Sequence, residues 1–219
     1  MKRLLSTMFA MGALFSLSAH AQDVKAGDAA AGQKKIANCI GCHGIEGYQA
    51  SFPEIHRVPK IAGQNAKYIA AALTAYKKGD RKHPTMRGNA ASMSDQDMAD
   101  IAAYYESLGI GGAVAPTQPI TPAPSVGGLL QKGNCASCHG ANLSTPIDPS
   151  YPKLAGQHPD YLYVALKAYQ TERNPQVGRS HAIMGPMAKP FSHTELKVLA
   201  NYIGALPGEL KTVPQGKFR

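Results

Sequence analysis

The sequence predicts an all-α protein of two tandem domains, each built around one Cys-x-x-Cys-His cluster. The cluster occurs twice, as NCIGCHG at residues 38–44 and as NCASCHG at residues 134–140. A longer repeat follows each copy, since PKIAGQNAKYIAAALTAY from Pro59 matches PKLAGQHPDYLYVALKAY from Pro152 at 10 of 18 positions. Between the copies, residues 109–128 are rich in Gly and Pro, which favours an extended spacer. Two copies are too few for a solenoid and indicate a pair of domains.

The two ends of the chain are predicted to lie outside the two domains. Lys2 and Arg3 precede an apolar run, and Ala19-His20-Ala21 fits the small-x-small pattern of a cleavage site, so residues 1–21 are predicted to be an export signal cleaved near Ala21. We expect an N-terminal domain at 22–112, a linker at 113–128 with helix breaks from 109, and a C-terminal domain at 129–207. The basic tail at 208–219 is expected to fray. An export signal implies a periplasmic protein.

Helical periodicity is the main secondary-structure signal. Tyr68, Ala72 and Tyr76 recur at a spacing of four, which places them on one helical face. Two Ser-x-x-Asp/Glu patterns, beginning at Ser94 and Ser192, are typical capping boxes and predict the last helix of each domain. No alternating pattern of useful length indicates a β-strand, so each half is predicted to be a small helical domain.

The composition points to a large bound group and limits the partners. The chain of 219 residues has no Trp and 5 Phe, so each small domain has few bulky side chains with which to fill a core. The net charge is +9, without a dense basic run, and export together with that pattern argues against nucleic-acid binding. An acidic protein partner or peripheral association with an anionic membrane surface fits the charge, which chiefly steers encounter.

Cys-x-x-Cys-His is the attachment pattern of c-type haem. Two cysteines on one helical turn can form thioethers with the vinyl groups of one porphyrin, and the adjacent histidine can then ligate its iron. A thioredoxin-like pair needs a βαβ context, a shared zinc site needs the two distant pairs to meet, and disulfides are allowed in an exported protein. None of these alternatives explains a histidine after both pairs. Two covalently bound haem c groups are therefore predicted, with Cys39, Cys42 and His43 holding one and Cys135, Cys138 and His139 the other.

The second axial ligand decides whether the iron is open to substrate. Met86 and Met184 both lie eight residues before the capping serine, and His83 and His181 both lie three residues before the methionine. Spacing alone does not separate methionine from histidine as the ligand. Two further methionines, Met93 and Met187, do not align with each other and are expected to fill the core.

Taken together, these motifs resemble the cytochrome c4 family within the class I cytochromes c. The resemblance covers nearly the whole chain after residue 21 and rests on CIGCHG and CASCHG, PKIAGQ and PKLAGQ, the following helices and the aligned methionines. It implies two tandem class I cytochrome c-like domains, each enclosing one covalently attached haem, with Met86 and Met184 as distal iron ligands. It also implies that carbonyls of Pro59 and Pro152 contact the proximal imidazoles.

This resemblance implies an electron carrier without catalytic residues. Its expected donor is a quinol-oxidising complex or a dehydrogenase, and its expected acceptor is a terminal oxidase. Two alternatives stay open: a dedicated cytochrome subunit of a periplasmic dehydrogenase, such as a flavoprotein partner, and a di-haem enzyme, such as a peroxidase or a thiosulfate-oxidising protein. The intervals Pro59–Met86 and Pro152–Met184 are 27 and 32 residues, so the two haems are expected to differ in exposure and potential.

Overall fold

The computed structural model describes residues 25–109 and 121–214. The predicted export signal at 1–21 lies outside these residues. In the described ranges the fold is helical, and none of the helices there is long and apolar enough to span a membrane. The helices are α1 (Ala29–Gln33), α2 (Ala37–His43), α3 (Ala66–Lys78), α4 (Pro84–Ala91), α5 (Asp95–Ser107), α6 (Pro124–Lys132), α7 (Ala136–His139), α8 (Pro159–Gln170), α9 (Met184–Ala188) and α10 (His193–Ala205). The strands are β1 (Gln49–Ala50), β2 (His56–Arg57), β3 (Arg81–Lys82) and β4 (Gly178–Arg179).

In the N-terminal half, α5 packs against both α1 and α3. Its buried Met98 and Ile101 meet Leu73 of α3 in one apolar cluster. The contact with α1 is close, because a Cβ atom added at Gly32 would lie 2.0 Å from the carbonyl oxygen of Asp100. The absence of a side chain at Gly32 is therefore what allows the two helices to approach.

The C-terminal half repeats this plan with α10 packed against α8 and α6. Leu196, Leu199 and Ile203 of α10 form its core with Leu162 of α8. Its first helix begins at Pro124, inside the stretch predicted as linker. A proline suits the first turn of a helix because its missing N–H would have no helical partner there. The described part of the linker therefore ends five residues earlier than expected, at 123, and 113–120 lie outside the described residues.

Both predicted capping boxes are confirmed. The hydroxyl of Ser94 accepts from the N–H of Asp97, whose carboxylate accepts from the N–H of Ser94. Ser192 and Glu195 make the same reciprocal pair at the start of α10. These local bonds satisfy N–H groups that the first turn of a helix leaves free.

Two glutamines join the halves through reciprocal hydrogen bonds, which we call the glutamine clamp. The Nε2 of Gln64 donates to the carbonyl of Lys153 at 3.0 Å, and its Oε1 accepts from the Lys153 N–H at 2.8 Å. Gln157, its counterpart in the second copy, bonds the Lys60 carbonyl at 2.8 Å and the Lys60 N–H at 3.0 Å. Each glutamine is 4% exposed. The clamp therefore relates the halves by an approximate two-fold arrangement.

The segment after residue 207 crosses back to the N-terminal half. The N–H of Lys211 donates to the carbonyl of Ala62 at 3.0 Å, and Val213 packs against the N-terminal core. Glu209 of this segment also forms a salt bridge with Lys153. The expectation of a frayed tail is therefore wrong for 208–213, because a backbone bond and an apolar side chain dock it. Residues 215–219 lie outside the described part of the chain.

Candidate functional site

A cavity of about 390 Å³ lies beside the first cysteine-histidine cluster, and we call it the N-terminal cavity after that cluster. It extends across the domain junction, where Lys153, Tyr161 and Arg179 of the C-terminal half also line it. Helix α2 supplies Cys39, Cys42 and His43 to its wall, and α4 supplies Met86. Apolar side chains make up much of the remaining wall, among them Val58, Ile61, Ile69, Leu73 and Ile101. The structure therefore brings the predicted cysteines, proximal histidine and distal methionine of this half around one apolar space.

The imidazole of His43 is held in one orientation. Its Nδ1 lies 2.8 Å from the carbonyl oxygen of Pro59, which can only accept, so Nδ1 carries the proton and donates. Burial lowers the pKa of His43, and the bond to Pro59 opposes this only in part. The ring is therefore neutral near pH 7, and Nε2 keeps a lone pair for a metal.

The proximal histidine of the second cluster makes the equivalent contact. His139 is buried, and its Nδ1 lies 3.0 Å from the carbonyl oxygen of Pro152. Burial lowers its pKa as well, so it too presents a neutral imidazole. The expected contacts of Pro59 and Pro152 with the proximal histidines are thus confirmed in both halves.

None of the four cysteines pairs with another in a disulfide. Within the described ranges, no group of three or more His, Cys, Asp or Glu side chains could hold a metal ion. The two cysteine pairs therefore form neither the disulfides nor the shared zinc site considered above.

The candidate distal ligands both lie in the first turn of a short helix. Met86 is half-buried in α4, and Met184 is half-buried as the first residue of α9. The competing His83 also lines the N-terminal cavity, while His181 is exposed in the turn before Met184. Met93 packs against the N-terminal core as expected. The same expectation for Met187 is wrong, because its side chain is 41% exposed.

A pair of arginines at the domain junction escaped the sequence prediction. Arg81 of β3 pairs in register with Arg179 of β4, and Lys82 pairs with Gly178, so these two strands form a short ladder between the halves. Their guanidinium groups donate to the hydroxyls of Tyr68 and Tyr161 at 3.1 and 3.0 Å. No carboxylate in the described ranges forms a salt bridge with either one. Both arginines lie five residues before an aligned methionine, and this shared spacing is the sequence feature that could have identified them.

The N-terminal cavity fits a porphyrin by its own chemistry. Its wall is mainly apolar, and the two thiols and the His43 imidazole lie on one side of it. Tyr105 also lines the space, and its buried hydroxyl lies beside the Cys39 sulfur. Both arginines of the junction reach the same cavity. The fold and the two clusters together define a di-haem c-type cytochrome.

Comparison with known proteins agrees with this assignment. The family model described as cytochrome c matches twice, at residues 29–109 and 127–207. The chain is 33% identical over 194 residues to cytochrome c4 of Azotobacter vinelandii, covering 83% of this chain and 90% of that protein. The chain therefore belongs to the cytochrome c4 family. It carries two covalently bound haem c groups and serves in electron transfer.

Two further comparisons bear on the fold and on possible partners. The crystal structure of reduced recombinant cytochrome c4 from Pseudomonas stutzeri superposes with a TM-score of 0.57 at 30% identity, covering 83% of this chain and all of that one. A thiosulfate dehydrogenase electron acceptor of Stutzerimonas stutzeri is 28% identical, covering 75% of this chain and 76% of that protein.

Proposed function

We propose that the protein is a periplasmic electron carrier with two closed haem sites, in which Met86 and Met184 are the distal iron ligands. The supporting observation is the shared cavity, in which Met86 and the neutral imidazole of His43 line the same apolar space. The donor in this proposal is a quinol-oxidising complex or a dehydrogenase, and the acceptor is a terminal oxidase. Export through the predicted signal at 1–21 would deliver the chain to the periplasm.

When bound, the haem groups supply reversible one-electron chemistry at iron. The protein's task is to keep both ligand positions filled so that this chemistry needs little rearrangement. The carbonyls of Pro59 and Pro152 hold His43 and His139 in the tautomer that leaves Nε2 free. A methionine thioether that ligated the iron would raise the potential relative to a second imidazole. Filled positions also leave no site for a substrate, which argues against an enzyme.

The arginine pair is suited to the acidic edge of the cofactor. A haem carries two carboxylates, and charged groups that are buried need an opposite charge or several hydrogen bonds. Arg81 is 9% exposed, and it and Arg179 lack a carboxylate partner among the described residues. We assign both to the carboxylates of bound haem, which would make the domain junction the place where the two cofactors lie nearest.

The glutamine clamp supports transfer between the domains. Gln64 and Gln157 tie the loops that carry Pro59 and Pro152, so the backbone that orients each proximal histidine is hydrogen-bonded to the other half. Salt bridges between Arg57 and Asp160 and between Glu54 and Lys167 add to the same junction. A fixed separation of the two sites would let an electron enter at one domain and leave at the other.

Spectroscopy of the oxidised holoprotein, combined with potentiometric titration, tests the ligand assignment. Wild type should show two low-spin haems with the weak far-red charge-transfer band of methionine ligation. Met86→Ala and Met184→Ala should each lower one potential by on the order of 0.1 V, since axial ligands span about 0.8 V. Met187→Ala, on the same helix as Met184 but exposed, is the control and should leave both potentials unchanged. Unchanged potentials in either of the first two variants would refute the corresponding ligand.

A dedicated partnership with a periplasmic dehydrogenase is the second candidate. It is favoured by the relative described as a thiosulfate dehydrogenase electron acceptor. Stopped-flow reduction of the oxidised protein by a purified thiosulfate dehydrogenase with thiosulfate, and by a quinol-oxidising complex with quinol, separates the two. Reduction by the dehydrogenase alone would replace the respiratory proposal, and reduction by the quinol-oxidising complex alone would remove the second candidate.

A further inference from the structure

Each proposed distal methionine follows a histidine by three residues, and both histidines make the same hydrogen bond. The N–H of Met86 donates to Nδ1 of His83 at 3.4 Å. The N–H of Met184 donates to Nδ1 of His181 at 3.2 Å, and the N–H of Ile183 donates to the same nitrogen at 3.2 Å. The bond is thus repeated in two domains whose segments before the methionine differ in length by five residues.

In the N-terminal half this bond caps a helix. His83 is the N-cap of α4, with extended backbone at φ −147° and ψ 110°, and a proline follows it as the first helical residue. The first N–H groups of a helix have no partner within it, and an N-cap side chain normally satisfies one of them with an oxygen. Here a ring nitrogen replaces that oxygen, and the N–H that it satisfies belongs to Met86.

In the C-terminal half the same bond forms in the turn that leads into α9. This helix begins at Met184 and has no side-chain cap from its own N-cap residue, Ile183. His181 instead accepts from two successive N–H groups across that turn. The local backbone differs between the halves, yet the histidine contacts the methionine N–H in both.

The direction of the bond decides what else the histidines can do. A neutral imidazole has one N–H and one nitrogen with a free lone pair. Since Nδ1 accepts from a backbone N–H, the proton must lie on Nε2, which then has no lone pair for a metal. A histidine that caps in this way cannot ligate iron through either nitrogen.

We propose that His83 and His181 are positioning residues that hold the methionine segments closed by accepting from the Met86 and Met184 N–H groups, and that they are not iron ligands. This inference rests on the proposed methionine ligation. Loss of the cap would raise the fraction of molecules in which the segment is open. A small external ligand would then reach the sixth position of the iron more often.

Imidazole binding to the oxidised holoprotein measures this opening. His83→Phe and His181→Phe keep a planar ring, which in His83 packs edge-on against Phe52 at 6.1 Å, and remove the accepting nitrogen. Each should bind imidazole about five-fold more tightly at its own haem, the shift expected for loss of an N-cap of ordinary strength. His83→Asn and His181→Asn restore a capping acceptor and should stay within about two-fold of wild type. His193→Phe changes an exposed histidine elsewhere and is the control.

The far-red charge-transfer band of the wild-type protein shows whether a failed test concerns this inference or the proposed methionine ligation. If the band is absent, methionine ligation fails, and this inference fails with it. If the band is present, the ligation stands, and the variants then test the cap alone. Phenylalanine variants with unaltered imidazole affinity, or asparagine variants that open as much as the phenylalanine variants, would overturn the positioning role. So would loss of the band in an asparagine variant.

Discussion

Replacing Gln64 with alanine tests how the two domains are held together. The side chain makes two hydrogen bonds to the backbone of Lys153 and is 4% exposed. Each such bond contributes about 1 kcal/mol net, so Gln64→Ala should lower the free energy of unfolding by about 2 kcal/mol. The cost exceeds that of an ordinary surface change because the N–H and carbonyl of Lys153 lose their partners.

Urea unfolding of the holoprotein, followed by absorbance and far-UV circular dichroism, measures this loss. Gln157→Ala removes the equivalent pair to Lys60 and should cost a similar amount. Gln131→Ala, an exposed helical glutamine, is the matched control and should stay within about 0.5 kcal/mol of wild type. In the double variant at Gln64 and Gln157, we expect the two domains to unfold in separate transitions.

A second variant at Gln64 distinguishes the contribution of its hydrogen bonds from that of its packing. Gln64→Glu keeps an acceptor for the Lys153 N–H but places an oxygen against the Lys153 carbonyl, where Nε2 now donates. It should be at least as destabilising as the alanine variant, although its shape is nearly that of glutamine. A loss below about 0.5 kcal/mol in both Gln64 variants would refute the clamp as a source of domain coupling.

Two further predictions concern the contact between α1 and α5. In thermal unfolding, Gly32→Ala should destabilise the protein by about 1–3 kcal/mol, because the added Cβ would lie 2.0 Å from a backbone oxygen of α5. Gly128→Ala, at a position in α6 with open space around it, is the control and should be neutral or stabilising. Equal effects of the two substitutions would argue against a close contact between α1 and α5. Hydrogen bonds from the N–H of Asp28, from Lys35 and from Gln96 lower the pKa of Asp100 to about 2. Because the folded pKa is below the unfolded value of about 3.9, the stabilisation is complete above pH 4 and is lost as pH falls toward 2. Asp100→Asn should therefore cost about 1–2 kcal/mol at pH 7 and progressively less below pH 4; a gap that does not depend on pH would contradict the assignment.

The sequence by itself determined the features that depend on neighbouring residues. A Cys-x-x-Cys-His cluster is complete within five residues, so its cofactor could be named and counted at 39–43 and 135–139. The capping boxes at Ser94 and Ser192 are likewise local, and the structure confirms them. The helical fold class followed from the repeat, because both copies carry the same periodic apolar pattern.

Only the tertiary structure decided the features that join distant residues. The Gln64–Lys153 bonds connect positions 89 apart, and the tail docks on the N-terminal half through the Lys211–Ala62 bond. The sequence carries no local pattern for such pairs, because these hydrogen bonds stabilise the protein only when the two halves are in contact. The same limit applies to His83, whose spacing to Met86 was visible while the direction of its hydrogen bond was not. The position of one ring proton follows from three-dimensional contact, and it separates a capping histidine from an iron ligand.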